Sequence, residues 1–148
     1  MERSEALASL TAPGEPYELE EIELPNAETR PRRLVITSDD VIWYVDYSRG
    51  YLGRLDPNTR QTKEWAMPGG EGSLPYGMAV DDKDHIWFVE SGLRPNRFVG
   101  FDPETEEFFS ITEIESGGGT VRHMMFHEPS RSIWFGTDTN YIGRASVP

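Results

Sequence analysis

Three tryptophans in near-identical surroundings constrain this chain more than any other feature. The stretches DDVIWYVDY around Trp43, KDHIWFVES around Trp87 and RSIWFGTDT around Trp134 each place an isoleucine before the indole and an aromatic after it. They stand 44 and 47 residues apart. Eleven residues upstream of each tryptophan sits Arg32, Tyr76 or His123, opening a short apolar run: Leu34 to Ile36, Met78 to Val80, Met124 to Phe126. Downstream come YLGRLDPNT, RFVGFDPET and YIGRASVP. Self-similarity at such a period marks a repeat architecture, in which each unit buries its apolar face against the next.

Each repeat reads as strands separated by turns. The polar clusters Ser38 to Asp40, Asp81 to Asp84 and Glu128 to Arg131 separate the first strand from the second. The third strand ends at Asp56-Pro57-Asn58-Thr59 or Asp102-Pro103-Glu104-Thr105, which fit type I turns with Asp first and Pro second. A fourth, outer strand is expected over Thr62 to Met67 and over Glu107 to Ile114. No segment sustains a helical period, so the fold is expected to be all-β. Four strands in about 45 residues match a β-propeller blade. The expectation is three four-stranded antiparallel blades over residues 31–68, 75–115 and 121–148.

The third repeat ends before a fourth strand. The segment Tyr17 to Leu24, followed by Pro25, is similar to the other outer strands, KEWAMP and FFSITEI. Residues 17–25 are therefore expected to supply the closing outer strand of the last blade, behind a flexible tail over 1–16. Closed propellers have about four to eight blades. A three-blade arc is either a piece of a longer protein or a unit that closes by self-assembly, most simply as a homodimer of six blades.

Charge and composition narrow the partners. A net charge of -12 argues against nucleic acid and anionic membranes. No run approaches the ~18 apolar residues of a membrane span. The absence of cysteine excludes disulfide and thiolate chemistry. The first residues lack an apolar leader core, which leaves a cytoplasmic location and, with a removed leader, a secreted one both open.

Consecutive strands of a blade run antiparallel, so the start of the first and the end of the second lie at one end. This places Arg32, Tyr76, His123, Asp46, Glu90 and Thr137 around one channel mouth, a mixture suited to a small polar ligand. Histidine titrates near neutrality and can serve as a base, which makes His123 the candidate catalytic residue. Glu90 can bind a hard cation, or pair with Arg94, Arg97 or Arg122. His85 and His127 read as structural or solvent-facing. The three repeat tryptophans are expected to fill the space between blades, with Trp65 packing there from an outer strand. Gly117-Gly118-Gly119 reads as a flexible linker without the Lys-Ser/Thr of a phosphate loop.

The pattern PYGMAVDDKDHIWFVES, continuing through RFVGFDPET and with IWFGTDTNYIGRA, resembles the virginiamycin B lyase (streptogramin lyase) family over roughly residues 17–148. The resemblance implies a seven-bladed parent fold and a Mg²⁺-assisted elimination that opens a cyclic depsipeptide at its ester. It implies His123 as the proton-abstracting base and Glu90 as a Mg²⁺ ligand, with Arg32, Tyr76 and Arg122 binding substrate. The family's Glu-x-His pair is absent, because Val121 stands at its glutamate position. A non-catalytic propeller that binds a ligand or partner at the mouth, and a minimal self-assembling fragment, are the alternatives.

Overall fold

Each Ile-Trp strand is pinned to the strand before it by the same kind of turn. In the first repeat Thr37 N–H donates to Val41 O (3.1 Å) and Asp40 N–H to Thr37 O (2.9 Å), with Asp40 left-handed at φ 65°. In the second, Asp81 N–H donates to His85 O (3.1 Å) and Asp84 takes φ 60°. Aspartate tolerates this conformation better than most residues. The same turn satisfies the indole: Trp43 Nε1 donates to Thr37 Oγ1 (3.1 Å) and Trp87 Nε1 to Asp81 Oδ2 (2.9 Å). Both rings can therefore be buried without stranding a donor.

The structure, a computed structural model, describes residues 18–148. The expected tail and Tyr17 lie outside them. The first sheet has the order β1 (Pro31–Ile36), β2 (Ile42–Asp46), β3 (Tyr51–Leu55), β4 (Thr62–Ala66). The second has the order β5 (Pro75–Val80), β6 (Ile86–Glu90), β7 (Arg97–Asp102), β8 (Glu107–Glu113). The third has β9 (Met124–His127), β10 (Ser132–Gly136) and β11 (Ile142–Ser146), with β10 in the middle. All neighbours are antiparallel. Among the described residues, helix is confined to single 3₁₀ turns at Glu71–Ser73 and Glu128–Ser130. The Asp-Pro turns run one residue longer than a type I turn. Arg60 N–H reaches Asp56 O (2.8 Å) and Glu106 N–H reaches Asp102 O (2.8 Å), with Arg60 and Glu106 at positive φ.

The sheets stack face to face in chain order. Trp43, Val45, Leu52 and Met67 of the first bury against Met78, Phe88, Val99 and Phe101 of the second. Trp65 stacks on Trp43 with ring centroids 5.4 Å apart, as its place on an outer strand led us to expect. Ala79, Trp87, Val89 and Phe98 of the second sheet bury against Met124, Ile133 and Phe135 of the third. The first strands β1, β5 and β9 lie side by side. This is an arc of propeller blades.

Residues 18–24 make no strand pairing within this chain, one of the two pairings expected for them; Glu20 meets Arg60 at the outer turn of blade 1 (2.5 Å), and the third sheet has three strands. Two expectations need correction. Trp134 is 41% exposed rather than buried between blades, since no sheet follows it in the arc. The Gly117–Gly119 stretch is not a slack linker. All three glycines take positive φ, Gly117 O accepts Asn96 N–H (2.9 Å), Gly118 O accepts Asp138 N–H (3.0 Å) and Gly119 O accepts Asn96 Nδ2 (3.0 Å). A β-carbon on Gly118 would sit 2.4 Å from Asn96 Oδ1, so the closeness of the two loops itself requires glycine.

Candidate ligand-binding mouth

The innermost strands of blades 1 and 2 open with a bulge, between Pro31 and Leu34 and between Pro75 and Met78. Bulges break the pleat and re-aim side chains, and they recur beside binding sites. Arg32, Arg33 and Tyr76 lie inside these two bulges.

The side chains meet across three blades. The Arg32 guanidinium lies 4.6 Å from the centre of the Tyr47 ring, and that of Arg33 5.9 Å from the Tyr76 ring. Tyr47 and Tyr76 contact edge to face at 5.9 Å. Arg33 Nε donates to Arg122 O (2.7 Å), joining blade 1 to the start of blade 3. Arg122 Nη1 donates to both Asp138 carboxylate oxygens (2.8 and 3.0 Å), and this pairing raises the Arg122 pKa above the ordinary arginine value. His123 stands next to it, exposed, at the start of β9. Arg32 and Arg33 have no carboxylate partner among the described residues. The mouth thus presents two guanidinium groups on aromatic rings and a third neutralised by Asp138.

The second-strand ends do something else. Asp46 is fully buried; its Oδ1 accepts the backbone N–H groups of Arg30 (3.0 Å), Ser48 (3.1 Å) and Arg49 (3.2 Å). Glu90 is also fully buried. Its Oε2 accepts Gly69 N–H (2.6 Å) and its Oε1 accepts Arg97 Nε (2.8 Å), which ties the linker between blades 1 and 2 to the second blade. Thr137 Oγ1 donates to Tyr141 O (2.9 Å) and accepts Tyr141 N–H (3.1 Å). In all three blades this position anchors a loop.

Of the two roles read for Glu90, the geometry supplies the pairing with Arg97. Each carboxylate oxygen is already engaged, and no cluster of three or more His, Asp or Glu side chains exists among the described residues. Mg²⁺ wants near-octahedral oxygen ligands and usually one or two free carboxylates. The described residues therefore do not fit a Mg²⁺ site. Val121 is fully buried in the second core, with its backbone bonded to Gly77 N–H (2.7 Å) and Ser91 Oγ (3.1 Å). A carboxylate at that position would be interred.

Of the expected site residues, Arg32, Tyr76 and Arg122 are linked through Tyr47 and Arg33, His123 follows Arg122 in the chain without a hydrogen bond or ring contact to them, and Glu90 is engaged by Gly69 and Arg97. Arg33, Tyr47 and Asp138 were not foreseen. Tyr47 follows Asp46 directly, so the repeat alignment placed it close; Arg33 joins only because the bulge turns it, and a bulge leaves no mark in composition.

The class defined by this fold is the β-propeller, seen here as a three-blade arc with one chemically rich mouth. No family model and no curated protein matches the chain. Solved structures do. Virginiamycin B lyase from Staphylococcus aureus superposes with a TM-score of 0.66 at 20% identity, over 89% of this chain and 46% of that one. A catalytically inactive form of that enzyme with quinupristin gives 0.66 at 21% over the same shares. A luciferin-regenerating enzyme gives 0.60 at 14%, over 79% of this chain and 45% of that one. This likeness establishes the fold. The chain spans less than half the length of the lyases it matches.

Proposed function

We propose that the mouth binds a small ligand carrying a carboxylate or ester group. The observation that supports this is the meeting of Arg32, Arg33, Tyr47, Tyr76 and Arg122 from three blades at one end of the arc. The chain as a whole is strongly acidic, at -12. A local group of guanidinium ions within it forms a positive focus that draws anions. The guanidinium fork matches a carboxylate in plane and spacing, and the tyrosine rings accept the ligand's apolar part. The test is calorimetric titration of citrate into the wild type and into the Arg32→Ala/Arg33→Ala double variant. Binding that weakens at least tenfold in the double variant is expected. No binding to the wild type, or equal binding to both, overturns the reading.

A second reading, a carbon–oxygen lyase, is favoured by the likeness to the two lyase structures and by the exposed His123. In it the His123 imidazole takes the proton α to a carbonyl while the ester C–O bond breaks. One end of the opened ring becomes a carboxylate and the other a double bond. Arg32 and Tyr76 orient the carbonyl groups. Incubation with a streptogramin B depsipeptide, followed by mass spectrometry, checks it. A linear product that disappears in His123→Ala supports the lyase. No product leaves the binding role alone.

A further inference from the structure

The two blade junctions use one pair of complementary faces twice, and the arc leaves exposed the forward face of blade 3 and the inner-strand part of the rear face of blade 1. The forward face is a rung of three residues: Val35, Trp43 and Arg54 in blade 1, and Ala79, Trp87 and Gly100 in blade 2. The same rung in blade 3 is Met125, Trp134 and Arg144. Its construction repeats that of blade 1: the Arg54 guanidinium lies 6.0 Å from the Trp43 ring, and that of Arg144 lies 5.8 Å from the Trp134 ring. Yet Trp43 is 3% exposed while Trp134 is 41% and Met125 63%.

The rear face receives a forward face. In blade 2 its rung is Met78, Phe88 and Val99, and in blade 3 it includes Met124 and Phe135; all are buried. In blade 1 the matching rungs are Leu34, Tyr44 and Gly53, and Ile36, Ile42 and Leu55. On the inner strand Leu34 and Ile36 are 60% and 59% exposed, while Tyr44 and Leu55 of the same rungs are buried.

A third incomplete feature is continuous with these. Between β8 and β11 runs a groove of about 940 Å³ lined by Phe98, Phe109, Ile114, Phe135 and Ile142. In blades 1 and 2 the edge of the third strand is taken by β4 and β8, whereas β11 has no outer neighbour among the described residues. Residues 18–24 carry Leu19, Ile22 and Leu24, form no strand, and run from blade 1 toward its outer turn, where Glu20 meets Arg60.

We propose that a second copy of this chain covers all three. The Met125–Trp134–Arg144 face docks on the Leu34–Ile36 face of the second copy, and that copy's residues 18–24 pair along β11 in the groove. The same contact in reverse closes a two-fold ring of six blades. Six lies within the range of about four to eight that closed propellers use, and a two-fold that reuses one junction leaves no open end. A second copy fits because each exposed surface is the sequence-register counterpart of one that another blade of this chain already covers.

Light scattering on the full chain at tens of micromolar is expected to give twice the 16.8 kDa chain mass. Trp134→Asp and Leu34→Lys should each yield a monomer with an unchanged far-ultraviolet spectrum. Mixing the two variants should restore a dimer, because one junction is then wild type and the other pairs Asp with Lys. Deleting residues 1–24 should weaken dimerisation at least tenfold. A monomeric wild type overturns the proposal, as does a mass that climbs with concentration into open chains. A Leu34→Lys variant that stays dimeric rejects the head-to-tail junction, and an undiminished dimer after the deletion rejects the strand exchange.

Discussion

Glu90 shows how position and role separate at the scale of a residue. The residue three places beyond the repeat tryptophan lies at the channel end of its strand in every blade, and the alignment shows that much. It does not show that Asp46, Glu90 and Thr137 turn inward to hold loops, because that depends on where backbone N–H groups lie in three dimensions. Once Glu90 accepts Gly69 N–H and the Arg97 guanidinium, removing its charge leaves Arg97 without its anionic partner. Glu90→Gln is expected to lower stability by about 1–3 kcal/mol, since Arg97 is partly solvated. Urea unfolding measures it, and citrate binding at the mouth should be unchanged. A variant of wild-type stability would contradict the anchoring role.

Tyr44 gives a second residue-scale expectation. Burial, reinforced by the nearby Glu64 and Asp46 carboxylates, pushes its phenol from 10.0 up to about 12. The folded state therefore keeps the proton more tightly than the unfolded chain does. The sign follows: this contribution is intact below pH 10 and is lost as pH rises from there through about 12. Its hydroxyl has no hydrogen-bond partner among the described residues, so Tyr44→Phe should cost nothing near neutrality. The variant should show a shallower alkaline fall in melting temperature than the wild type. Identical alkaline profiles would contradict the assignment.

At the scale of elements, the sequence was legible wherever local chemistry decides the backbone. Strand placement followed from the apolar runs, the Asp-rich hairpins and the Ile-Trp pairs. The outer strands β4 and β8 fell within a residue of expectation. The glycine run was misread because composition cannot tell a slack segment from a crowded one. Gly118 is held by contact: a β-carbon there meets Asn96 Oδ1 at 2.4 Å with φ at +79°, whereas at Gly117 it meets nothing within 4 Å. Gly118→Ala is expected to cost about 2–4 kcal/mol, from strain and overlap together. Gly117→Ala should cost only the backbone strain, about 1–2 kcal/mol. Equal and negligible losses in both would return the segment to a flexible linker. The pattern of residues 17–25 names a suitable strand without naming the chain whose edge it joins, because strand pairing across a blade is a contact of high sequence separation.

At the scale of the whole molecule, three blades packed through two cores hold residues 32 to 122 in one patch, a separation that only the arc can bridge. Arg33 on blade 1 reaches the backbone of Arg122 ahead of blade 3, with Tyr76 of blade 2 between them. The proposed function rests on this patch rather than on the groove beside β11. Titrating citrate into ¹⁵N-labelled protein and following amide shifts decides between them. Shifts are expected at Arg32 to Leu34, Tyr47, Tyr76 to Gly77 and Arg122 to Met124, all saturating with one dissociation constant. Shifts confined to Phe109 to Ile114 and Tyr141 to Ser146, with the mouth amides unmoved, would contradict it.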